Sequence, residues 1–168
     1  MEKINTQPSP KYFSRVLTLL GESPAKLEAL RRSLTEEQLC EPLAEKEWSF
    51  KQQLAHLLSR EEITSQSIYY ALLVDDPILP DIHPQRHWAP LVDYEHFPVS
   101  KLLDYYYFRR EIFLRVLADL SDTEWENVVR RASKRPETIY RLARALALHE
   151  VEHLEDITGK LETQPPNL

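Results

Sequence analysis

IYRLARALALHEVEHLEDIT, residues 139–158, places Ile139, Leu142, Leu146, His149, His153 and Ile157 on one stripe at helical spacing. An earlier run repeats the pattern with Leu102, Tyr106, Arg109, Phe113, Val116, Leu117 and Leu120. No comparable stretch alternates with the period of two that a half-buried strand needs. The chain therefore reads as helical, and its prolines fence off the helices. They stand at 8, 10, 24, 42, 77, 80, 84, 90, 98, 136, 165 and 166. Proline lacks the amide N–H and its ring clashes with the preceding turn, so helix interiors belong in the proline-free intervals.

Those intervals predict four main helices. Ser23 before Pro24 reads as an N-cap opening a helix over 25–33. Ser49 caps a helix over 50–74, and Ser100 caps one over 101–120. Thr138 opens the last helix, which Gly159 ends near 158. A shorter segment over 11–20 is expected as a separate piece, and 1–9 and 161–168 as frayed ends. The expected architecture is an all-α four-helix bundle in a single domain over residues 1–168. A connection over 75–98 joins the second and third main helices. It spans 24 residues, holds five prolines, and carries His83, His87 and His96. Connections longer than ~12–15 residues are often lids or binding loops. This one reads equally as a strap across the bundle, with Trp88 and Tyr94 lining a pocket or pinning the strap.

Composition removes several function classes. The 168 residues include only 2 glycines, too few for a phosphate-cradling α/β fold or a turn-rich β-sandwich. Cys40 is the single cysteine, which excludes an intrachain disulfide framework and a multi-cysteine zinc site. A net charge of −6 speaks against general nucleic-acid binding. No apolar run approaches the ~18 residues of a membrane span, and the first residues lack a signal-peptide core. The expectation is a cytoplasmic protein with no membrane partner, acting on a small molecule.

The chemistry concentrates at His149 and His153. Histidines four apart on a helix point the same way and can reach one ion. Two hydrogen-bonded core histidines are the alternative; metal binding is favoured because each stacked ring needs its own partner. The pair also fits the H-E-x-x-H motif of metallopeptidases, with Glu150 as base. Yet Leu-Glu-Asp-Ile-Thr-Gly follows His153 and breaks the zincin extension, and Glu150 projects ~100° from His149. A di-iron bundle needs a second Glu-x-x-His unit, and no other helix carries one. His56 is the only histidine on the second helix, with Gln52, Ser59, Ile63, Ser67 and Tyr70 on its side; periodicity alone does not select it. Arg109, on an apolar stripe, reads as a carboxylate anchor or a buried stem with a paired head. Glu61 reads as support for a ligand or as a surface charge. The basic run 130–135 reads as a solvated loop, and the aromatic run 105–108 as core or dimer interface.

Trp48-Ser49-Phe50-Lys51-Gln52-Gln53-Leu54-Ala55-His56-Leu57, followed by Glu61 and later by His149, His153 and Ile157, resembles the ordered motifs of the DinB-like superfamily. The likeness covers about 23–158. It implies an up-up-down-down style four-helix bundle with a long second connection, and a divalent metal (zinc, nickel or iron) held by His56, His149 and His153. It also implies metal-dependent hydrolases, or transferases and isomerases that use a low-molecular-weight thiol, and frequent homodimers. Three histidines would leave an open position for water. A non-catalytic dimeric bundle is the alternative. Glu155, Asp156 and Ser59 depart from the family pattern; these departures spare the three histidines and leave the substrate unassigned.

Overall fold

The computed structural model describes residues 4–131 and 134–163. Four long helices form the expected bundle: α1 (Pro10–Arg32), α2 (Phe50–Leu73), α4 (Val99–Ala118) and α5 (Ile139–Thr163). α1 and α2 each pack on both α4 and α5, so the first two helices face each other across the bundle's diagonal. Ser49 starts α2 as expected, through a reciprocal capping box with Gln52. No helix among the described residues is long and apolar enough to cross a membrane.

Several expectations are corrected. The segments 11–20 and 25–33 are one helix that runs through Pro24, and Ser23 is buried within it, donating to the Leu19 carbonyl at 3.1 Å. Proline at 24 has no N–H for the Leu20 carbonyl four residues back. The Arg110 guanidinium, from α4, donates to that orphaned oxygen at 2.7 Å. A long-range donor thus satisfies what the sequence locally breaks. α4 begins one residue before Ser100, with Pro98 at the N-cap and no side-chain cap. α5 passes through Gly159 to Thr163, so 161–163 are helical rather than frayed. Residues 4–9 are not loose either. Ile4 is buried, and its carbonyl accepts from Arg144 at 2.9 Å, while the Asn5 carbonyl accepts from the Tyr140 hydroxyl at 2.5 Å. Residues 1–3 and 164–168 lie outside the described residues.

A small sheet is also present where no strand was expected. β1 (Ile78–Leu79) pairs in parallel with β2 (Val128–Arg131), and β2 pairs antiparallel with β3 (Lys134–Thr138). The basic run 130–135 is therefore part of a hairpin, with 132 and 133 outside the described residues. Strands this short carry too little alternation to be read from sequence. The long connection holds a π-helical turn at Pro84–Trp88, the short α3 (Ala89–Val92) and a 3₁₀ turn at Tyr94–His96. It is strapped to α2 by buried Glu62, whose carboxylate accepts from the Trp88 indole at 2.5 Å, the Tyr105 hydroxyl at 2.6 Å and the Tyr94 hydroxyl. Trp88 and Tyr94 thus pin the strap.

The core is split by a polar layer. One apolar cluster includes Leu20, Ile68, Phe113 and Leu146; the other includes Leu27, Leu58, Tyr106 and Leu154. Between them each helix contributes polar residues: Ser23 from α1, Glu61, Glu62, Thr64 and Ser65 from α2, Arg110 from α4, and Glu150 from α5. The candidate site lies at this level.

Candidate metal centre

The polar layer contains two clusters. In the first, Arg110 is 1% exposed and Glu61 and Glu150 are fully buried. Arg110 reaches Glu61 at 2.8 Å and both Glu150 oxygens, one of them at 2.9 Å, while its guanidinium stacks over the Tyr106 ring at 4.8 Å. Desolvation pulls the Arg110 pKa down, but the Glu150 and Glu61 charges outweigh it and hold the group well above its ordinary value. Burial raises the Glu61 pKa against the pull of Arg110. Arg110, not Arg109, is the buried arginine of α4. Arg109 is half-buried, donating to Ser65 at 2.9 Å and lying 3.7 Å from Glu62. The stripe read from sequence holds Leu102, Tyr106, Phe113 and Leu117, all buried, but at its middle it took Arg109 where the buried residue is Arg110. The signal was available in α5, where Leu146, Glu150 and Leu154 repeat at helical spacing and place an acid in the core that needs a cation.

The second cluster is made of histidines. His56 on α2 meets His149 and His153 on α5, and all three are half-buried. Ring centroids lie 5.0 Å apart for His56 and His149, 4.8 Å for His56 and His153, and 4.4 Å for His149 and His153. One nitrogen from each ring falls within 4.8 Å of the others, close enough to share one ion. The α5 histidines sit at the border of the buried face rather than at its centre, which is occupied by Leu146, Glu150 and Leu154. That border faces α2. His56 comes from the small, mildly polar side of α2, which explains why apolar periodicity did not select it.

Glutamines fix two of the rings. The His56 Nδ1 contacts Gln85 Oε1 at 2.9 Å, and the His153 Nδ1 contacts Gln53 Oε1 at 2.8 Å. An amide oxygen only accepts, so both Nδ1 atoms carry the proton and both Nε2 atoms present lone pairs. Gln53 precedes His56 by one turn; Gln85 comes from the π-helical turn of the strap, itself capped by the His83 ring. The His56 and His149 Nε2 atoms lie 3.1 Å apart, and the His149 Nδ1 is buried without a hydrogen-bond partner. Burial lowers the pKa of all three imidazoles, and the neighbouring histidines and Arg60 push His149 down to about 3. All three rings are thus neutral at pH 7. Trp48 covers His56, with ring centroids 5.1 Å apart. A cavity of about 200 Å³ opens beside His56, lined in part by Trp48, Gln52, Gln85 and Tyr94.

The remaining candidates lie elsewhere. His83 and His87 hydrogen-bond within the strap, and His96 pairs with Asp93 at 2.8 Å. Cys40 is exposed in a loop. Glu150, which a peptidase reading would make the base, is committed to Arg110. In the aromatic run, Tyr106 is buried, Tyr107 donates to Glu28, and Tyr105 and Phe108 are exposed.

Fold and site together define a helical bundle whose polar layer gathers three neutral histidines between the second and last long helices. The family model of the DinB superfamily matches residues 19–157. The chain belongs to the DinB superfamily. It is 28% identical over 142 residues to "Putative metal-dependent hydrolase BH0277" of Halalkalibacterium halodurans, covering 82% of this chain and 80% of that protein. Its fold matches that of YfiT from Bacillus subtilis with a TM-score of 0.82 at 20% identity, covering 96% of this chain and 92% of the other. YfiT is described as a probable metal-dependent hydrolase with an unusual four-helix bundle topology.

Proposed function

We propose that the protein is a metal-dependent hydrolase of small molecules, with His56, His149 and His153 holding one divalent ion. The observation that carries this reading is the convergence of three neutral imidazoles, two of them locked by glutamine oxygens with Nε2 facing inward. The donors fit an ion better than they fit each other. With Nδ1 of His149 protonated, two lone pairs oppose at 3.1 Å. With Nε2 protonated, a buried Nδ1 lone pair has no donor. A separation of 3.1 Å also suits two nitrogens bound to one tetrahedral ion at ~2.0–2.1 Å each. Imidazole ligands suit zinc, nickel and iron alike.

When bound, such an ion lowers the pKa of a coordinated water towards ~7 and supplies a hydroxide nucleophile. The protein's own groups do the rest. Gln53 and Gln85 hold the ring planes and tautomers. Trp48 and Gln85 of the strap flank the half-buried His56. Glu150 stays with Arg110 and takes no proton from the site, which separates this centre from an H-E-x-x-H peptidase. The name of the Halalkalibacterium relative and the description of YfiT support the hydrolase class.

The test is turnover of a panel of small esters and amides by metal-loaded protein, run with and without a low-molecular-weight thiol so that hydrolysis and thiol transfer separate. The reading predicts metal-dependent hydrolysis that disappears in His149→Ala. Turnover that survives both chelation and this substitution contradicts it.

A further inference from the structure

We propose that Arg60 is the anion-recognition residue beside the histidine cluster, so that the substrate is a small molecule carrying a carboxylate or phosphate group. The substrate assignment rests on the metal-site reading above; the anion binding does not.

Arg60 follows His56 by four residues on α2, so both side chains leave the same face of the helix. It is half-buried, and its Nε is fully shielded with no hydrogen-bond partner. Among the described residues no hydrogen bond or ion pair engages its guanidinium. The Nε atoms of Arg109 and Arg110 are equally shielded and unpartnered, but their terminal nitrogens are engaged. Arg109 holds Ser65, and Arg110 holds Glu61 and Glu150. Arg131 donates to Glu137 at 2.7 Å and to Ser67 at 2.9 Å. Ser67 lies on the same side of α2 as His56, and β2 packs against this helix, so the hairpin brings a second guanidinium alongside Arg60. The one carboxylate whose charge acts on Arg60 is that of Glu137, already taken by Arg131.

A partly desolvated guanidinium without an anion is costly. Its planar fork matches an oxyanion in two parallel hydrogen bonds. Two partly buried guanidinia close enough for their charges to act on one another concentrate anions locally even on a chain whose net charge is −6. The Arg60 charge also acts on His56 and His149. An oxyanion seated on Arg60, one helical turn from His56, would lie on the His56 and His149 side of the cluster, where it would anchor a substrate for reaction.

Isothermal titration calorimetry of the metal-free full chain with sodium succinate, and separately with sodium phosphate at constant ionic strength, tests this. The parent is expected to bind at least one of the two saturably with 1:1 stoichiometry; succinate alone identifies a carboxylate and phosphate alone a phosphate. Arg60→Met is expected to weaken binding at least tenfold, and Arg60→Lys by less, because it keeps the charge without the fork. The thermal midpoint of Arg60→Met should not fall below that of the parent, since the substitution breaks no pair and removes a partly desolvated charge. Absence of saturable binding of either anion to the parent, or equal affinity in Arg60→Met, overturns the proposal. Metal content is measured on the same preparations. A parent that takes up no metal breaks the metal reading and leaves the anion site standing. A parent that loads metal while Arg60→Met does not makes Arg60 a support of the histidines and overturns the proposal.

Discussion

Two clusters share the middle of this bundle, one buried and one half-buried; both draw on α2 and α5, and the first also on α4. Glu61 and Glu150 meet Arg110, and their charges are paired at hydrogen-bond distance. His56, His149 and His153 meet each other, uncharged, with lone pairs facing inward. The first cluster has found its counter-charge inside the fold. The second consists of electron-pair donors with no acceptor among themselves, the arrangement on which the proposed metal site rests. Adjacent residues on α5, His149 and Glu150, fall on opposite sides of this divide because one helical step turns a side chain by ~100°.

The difference can be broken by substitution. The largest effect is expected for Arg110→Met, which strands two buried carboxylates. Removing one partner of a buried ion pair costs about 3–5 kcal/mol. Denaturant midpoints of parent and variant measure it, and a loss below about 1 kcal/mol would remove the distinction between paired and unpaired clusters. Metal-free His149→Ala should lose much less, since no charge is stranded.

Next in size are the glutamines. Gln53→Ala and Gln85→Ala should each weaken metal affinity about 10–100-fold in competition with a chelator, as expected when a group orienting a ligand imidazole is lost. Unchanged affinity in both would show that the rings need no external support.

A smaller effect comes from pH in the metal-free protein. The folded-state pKa of His149, about 3, lies below the ~6.5 of an unfolded histidine. Between those values the unfolded chain binds more protons. The stability due to neutral His149 is therefore complete above ~6.5 and is lost as pH falls towards about 3. Denaturant midpoints at pH 7.5 and 5 should fall in the parent and fall less in His149→Ala. A parent midpoint that is flat or rises on acidification contradicts the neutral cluster.

What the sequence made legible follows from how local each signal is. The capping box at Ser49 and the stripe from Ile139 to Ile157 are local, and both helices start where they were read, although α5 runs past Gly159 to Thr163. Pro24 is a local break whose repair, the Arg110 donor to Leu20, comes from 90 residues away, so α1 was read as two pieces. The same remoteness hid Arg110 itself. His149 and His153 were legible from their spacing; His56 was reached through the family resemblance, because its face of α2 is not apolar. Gln53 and Gln85 carried no spacing signal, since their roles exist only once α5 packs on α2 and the strap folds over it.

The proposed function depends on the three histidines holding one metal ion. The most direct measurement is elemental analysis of the purified full chain after exposure to zinc, nickel or iron at neutral pH, alongside His149→Ala and His153→Ala. One bound equivalent in the parent and none in either variant is the predicted result; a parent that retains no metal, or variants that keep a full equivalent, contradicts it.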